Sequence, residues 1–182
     1  LYLKATYTPS YFIDSDYDPE WLNLIDCWNG ISSKVHIYTP ENASSAPSKA
    51  AVVDFRTVSG NLTVIESGYS YTYLDRTFHG IALPVTKISY PNFDKEDNED
   101  LVMSVIYLGE DNCTEEENKT TIIHEFGHAL KLQHPFFLFE ELYSYPDPIP
   151  NNNAILSVMN WNYTMDYPSA YDKLRLRRKW GD

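Results

Sequence analysis

The chain has 182 residues, is 43% hydrophobic and carries a formal net charge of −12. That length and apolar content suit a single domain, 1–182, with its own core, and the acidity argues against nucleic acid as a partner, because phosphate binding needs a basic surface. No apolar run approaches the ~18 residues that would span a membrane.

In chain order, Asp14-Ser15-Asp16-Tyr17-Asp18 imitates the opening of a calcium loop. It lacks the sixth-position glycine and the twelfth-position glutamate of an EF-hand. Asp18-Pro19-Glu20 is a helix start, with aspartate as cap and proline at the first helical position. Trp21, Leu24, Ile25 and Trp28 then recur at helical spacing, and Gly30 ends the helix. Val35 to Tyr38 and Ala50 to Phe55 predict buried strands, with a turn over residues 42–49 between them. Ser67 to Thr77 is tyrosine-rich with a strand bias, and Gly80 to Pro84 predicts an edge strand, where proline is tolerated. The acidic run Asp94 to Asp100 is a solvated loop, with calcium binding as the alternative. Leu101 to Leu108 is the clearest strand, and Thr114 with Glu117 is a capping box that opens a helix. A last helix is predicted over Ser169 to Trp180, decorated by the basic run Arg175 to Lys179.

This alternation predicts an α/β (α+β) fold. Cys27 and Cys113 would be a disulfide in a secreted protein or buried thiols in a reducing compartment. Asn-x-Ser/Thr occurs at Asn42, Asn61, Asn112, Asn118 and Asn162, which matters only in a eukaryotic secretory pathway. The chain begins at Leu1 without a signal-like stretch, so a mature domain is expected, with a pro-segment or further domains outside it.

The segment from His124 to His134 carries the most chemistry. His124 and His128, four apart, share one face of a helix and can reach one tetrahedral metal ion, zinc by preference. Glu125 follows the first ligand directly and points aside, where it can act as general base on a metal-activated water. On a straight helix His134 would face roughly 80° from His124 and sit about 9 Å beyond His128. The helix must therefore stop, near Leu130 to Leu132, and the chain must double back. Pro135 supports this by pushing the residue before it into an extended conformation.

His124-Glu125-x-x-His128 with His134, followed by Ser157-Val158-Met159-Asn160, resembles the metzincin metallopeptidases, matrixin-like or serralysin-like. The resemblance implies a twisted, mixed sheet with a backing helix and an active-site helix in an N-terminal subdomain, 1–134. A small irregular C-terminal subdomain, 135–182, would end in a helix. It implies zinc on His124, His128 and His134, Glu125 as catalytic base, and Met159 in a turn supporting the histidines. It implies further an extended polypeptide substrate paired with an edge strand, and a secreted, extracellular enzyme. Trp161 and Tyr163 follow the methionine, where they either line the substrate pocket or belong to the core. Phe136 to Phe139 and the proline-rich stretch to Pro150 form a long loop bordering the cleft. The pattern departs at Lys131, which stands where the family has a glycine in a left-handed turn. Either Lys131 tolerates that strain, at about 1 kcal/mol, or the turn relaxes and displaces His134. The functional alternative is a zinc-binding but inactive interaction or adhesion domain, for which Lys131 is the one hint.

Overall fold

The computed structural model describes residues 1–7, 18–58, 62–66, 69–73, 79–86, 101–109, 113–135, 156–160 and 165–182. Its strands are β1 (Tyr2–Tyr7), β2 (His36–Tyr38), β3 (Ala51–Val58), β4 (Leu62–Glu66), β5 (Tyr69–Tyr73), β6 (Gly80–Thr86) and β7 (Leu101–Gly109). Five of them form one sheet in the order β2-β1-β3-β7-β6, and β4 pairs with β5 in a separate antiparallel hairpin. The sheet is parallel except for β6, which runs antiparallel to β7. Among the described residues, two α-helices, α1 (Glu115–Ala129) and α2 (Ala170–Trp180), and 3₁₀ helices over Pro19–Trp28 and Pro40–Ser45 complete a mixed α/β fold. Among the described residues, no helix is long and apolar enough to cross a membrane.

Period-two alternation sorts the strand residues into faces. Leu3 and Ala5 of β1, Val53 and Phe55 of β3, and Ile106 and Leu108 of β7 are fully buried and share one core with Ile122, Ile123 and Phe126 of α1. Phe55 and Phe126 stack with ring centroids 6.2 Å apart. This packing fixes α1 against the sheet. β1 lies outside the elements expected from sequence: only Leu3 and Ala5 alternate with polar neighbours, and alanine is a poor strand marker. β4 was not anticipated either.

The first helix differs in kind from the expected one. It is 3₁₀, and its buried residues are Leu22, Ile25 and Trp28, one every three positions. Three residues per turn place these on one line, whereas Trp21 and Leu24 are only half-buried. Asp18 caps it by accepting the Glu20 N–H at 2.9 Å, and Gly30, at φ 74°, ends it. Trp28 joins it to α1 by donating Nε1–H to the Ile123 carbonyl at 3.2 Å.

The two sheet edges are unlike. On β2, the Asn29 side chain accepts the Ile37 N–H and donates to the Ile37 carbonyl, both at 2.8 Å. The amide stands where the peptide group of another strand would sit. The opposite edge is β6, on the predicted edge-strand residues and two beyond them.

Cys27 and Cys113 are unbridged. The Cys27 thiol is pushed up to about 12, chiefly by burial and then by Asp26 and Asp166. The folded chain therefore keeps this proton where the unfolded chain, with an ordinary thiol near 9, loses it. The resulting stabilisation is fully present below about pH 9 and lost as the pH rises through about 12. A Cys27→Ala variant should show a flatter alkaline limb in stability measured against pH by denaturant titration. An unchanged limb would contradict it. The acidic segments considered for calcium, Asp14 to Tyr17 and Asp94 to Asp100, lie outside the described residues, as does the loop from Phe136 to Pro150.

α2 closes the fold over the end of α1. Leu176 is in the core, Trp180 Nε1–H donates to the Leu130 carbonyl at 3.0 Å, and Arg177 Nε–H to the Ile31 carbonyl at 2.8 Å. Arg175 Nη1 donates to the Gln133 carbonyl at 2.8 Å. Part of the basic run is thus spent on holding neighbouring backbone.

Candidate metal centre

α1 has a start and a stop written in its own residues. Thr114 accepts the Glu117 N–H while the Glu117 carboxylate accepts the Thr114 N–H, completing the expected capping box. At the other end, Leu132 N–H donates to the Gly127 carbonyl at 3.0 Å and Lys131 N–H to the His128 carbonyl at 2.8 Å. This pair of bonds is the Schellman arrangement, which demands a left-handed residue between. Lys131 takes that conformation, at φ 62°. The lysine bears the strain and the turn does not relax. Lys131→Gly should accordingly stabilise the metal-free chain by ~0.5–1 kcal/mol in denaturant unfolding. A loss of stability would refute that account.

The turn delivers His134 to the other two histidines. Its Nε2 lies 3.0 Å from Nε2 of His124 and 3.0 Å from Nε2 of His128. His124 Nδ1 is 2.7 Å from the Val158 carbonyl, and His128 Nδ1 is 2.7 Å from the Leu132 carbonyl. A carbonyl only accepts, so Nδ1 carries the proton in both rings and the Nε2 lone pairs are left facing inward. Burial holds His124 below the usual imidazole range. It holds His128 well below, helped by His124 and His134. His134 is lowered to about 3, by burial and then by His124. Three neutral nitrogens aimed at one point repel one another unless a cation lies among them. The donor set fits a metal ion, and these three residues form a group able to hold one.

Glu125 is buried, with Oε1 4.0 Å from His124 Nε2. Burial raises its carboxyl to about 8, against the lowering effect of the Ala82 backbone N–H that it accepts. β6 comes this close because residue 80 is glycine: a Cβ there would lie 2.6 Å from Thr121 Cγ2 and 2.8 Å from Glu125 Cγ. Gly127 plays the same part on the other side of α1, where a Cβ would lie 2.3 Å from Met159 Sδ. Met159 is thus buried against the residue preceding His128. Trp161 and Tyr163 lie outside the described residues.

One residue of this centre escaped the sequence reading. Asp172, fully buried at the third position of α2, accepts the Val158 N–H at 2.9 Å and the Ser157 hydroxyl. It also accepts the Ser169 N–H at 2.9 Å and hydroxyl at 2.8 Å. Asp172 therefore holds Val158 through its N–H, and the carbonyl of the same residue bonds His124. The residues following Ser169 show a capping box and nothing more, so no local pattern marks this second task. No family model matches the chain, and no curated protein or solved structure matches it.

Proposed function

We propose that the chain is a zinc-dependent endopeptidase of the metzincin kind, secreted and acting on extended polypeptides. The observation that carries this reading is the convergence of three Nε2 atoms beside a carboxylate that does not join them. His124, His128 and His134 would hold the ion and leave a tetrahedral site one position short. Zinc, when bound, supplies the Lewis acidity that polarises a carbonyl and acidifies water. Glu125 would take and return the proton at Oε1, since its carboxylate stands beside the three nitrogens without joining them. Burial around it excludes bulk water, which would otherwise compete for that proton.

The edge strand supplies the place for substrate. The Gly109 N–H donates to the His79 carbonyl, so antiparallel alternation turns the N–H and C=O of Gly80 and of Ala82 outward, and Glu125 takes the Ala82 N–H. An extended polypeptide added to β6 would run past the centre. The alternative, a zinc-binding but inactive interaction or adhesion domain, rests on Lys131, which takes the left-handed conformation that the family's glycine would.

Purified protein should carry about one zinc per chain and cleave an unfolded protein, with cleavage lost on chelation. Glu125→Gln should retain the zinc and lower kcat/KM about 10³-fold. A zinc-loaded wild type that cleaves nothing in a broad peptide library would overturn the proposal.

A further inference from the structure

The two cysteines sit in opposite environments. Cys27 is buried and has its thiol pushed up to about 12. Cys113 is half-buried, with Sγ 3.4 Å from Nδ1 of His79, whose ring is exposed. Cys113 immediately precedes Thr114, the N-cap of α1, so it lies at the positive end of the helix dipole. From the same first turn, Glu117 faces His79; its carboxyl is held low by its bonds to Thr114 and, to a lesser degree, by the charge of His79. Glu115 and Glu116 add negative charge there. These carboxylates disfavour a thiolate, whereas the histidine is the group within hydrogen-bonding reach of sulfur. The pair is arranged for transfer of the thiol proton to the imidazole, the usual way a cysteine becomes a nucleophile.

We infer that Cys113 with His79 is a thiol-modification site that takes low-molecular-weight disulfides to form a mixed disulfide. His79 Nδ1 accepts the Cys113 proton, and Sγ attacks one sulfur of the small disulfide. The S–S bond of the reagent breaks as the new one forms, and the departing thiolate recovers the proton from His79. Cys113 is oxidised to the disulfide level and one half of the reagent is reduced to a thiol, so electrons and atoms balance. The inference does not depend on the peptidase reading. It places the adduct where β6 begins, because His79 directly precedes Gly80.

The test is native protein with oxidised glutathione, followed by peptide mass mapping. The expected product is one glutathione per chain, on Cys113, with Cys27 unmodified and with Cys113→Ser inert. At about pH 6, a thiol that hands its proton to a neighbouring imidazole has more thiolate than an unassisted one, and the weaker nucleophilicity of a less basic thiolate takes back part of the gain. His79→Gln should therefore slow the reaction about tenfold under these conditions and leave it unchanged in urea. Equal reaction of both cysteines in the native chain, or an unaltered rate in His79→Gln, would overturn the inference. Should that variant fail to fold, iodoacetamide alkylation of the wild type against pH decides instead. A Cys113 rate that persists well below the ordinary thiol range supports the site, and a single rise at about 8.5 overturns it.

Discussion

His128→Ala should abolish tight metal binding and, with it, any hydrolysis. The three imidazoles are neutral and oriented before an ion arrives, two of them by carbonyls at 2.7 Å, so each contributes nearly its full donor strength. Sharing a binding energy of roughly 10 kcal/mol or more among three ligands assigns 3–4 kcal/mol to each, a loss of about 10²–10³-fold in affinity. Calorimetric titration with zinc checks the affinity. The melting temperature gives an independent readout, because an ion that binds only the folded chain raises it and should cease to do so in the variant. In the metal-free chain the variant loses the bond from His128 Nδ1 to the Leu132 carbonyl, about 1 kcal/mol, offset in part by relief of the crowded lone pairs. Retained nanomolar binding would mean that the ion sits elsewhere.

Asp172→Ala should be the most damaging change outside the histidines. It strips partners from the Val158 N–H and the Ser157 hydroxyl in a fully buried place and removes half of the capping box of α2. Loss of a buried, multiply bonded carboxylate that leaves its donors unpaired costs about 3–5 kcal/mol. Denaturant unfolding measures it. Asp172→Asn keeps one acceptor oxygen and should cost less. In that milder variant the grip on the Val158 N–H weakens, so the residue whose carbonyl bonds His124 is held less firmly and zinc affinity should fall about 10–100-fold. A destabilised Asp172→Asn with wild-type zinc affinity would show that Asp172 serves the fold alone.

What was legible in the sequence is local. The two histidines one turn apart, the capping box at Thr114 and Glu117, and the stop before Pro135 each depend on residues within a few positions of one another. The same physics places both ends of α1 where its residues indicate. What was hidden is of two kinds. The groups that orient His124 and His128 are the carbonyls of Val158 and Leu132, and a backbone carbonyl leaves no mark on residue type. Contacts between elements, such as Asp172 with Val158 or Glu125 with Ala82, join positions whose side chains already have a sufficient local explanation. Glycine was an unused clue. Inside a helix or strand it costs about 1 kcal/mol relative to alanine, so Gly127 and Gly80 each indicated a close neighbour before one was visible. The 3₁₀ helix misled in a simpler way, because Trp21, Leu24, Ile25 and Trp28 fit a 3.6-residue repeat while Leu22, Ile25 and Trp28 fit a three-residue one.

The amide of Asn29 on β2 has a consequence for how the molecule behaves in a crowd. A sheet with two bare margins is a template on both sides, and copies can add to it end over end into filaments. Here one margin is stoppered by the chain's own side chain, so open-ended stacking through both margins cannot propagate. Within this sheet, the margin left to capture a foreign strand is the one that runs beside the histidines.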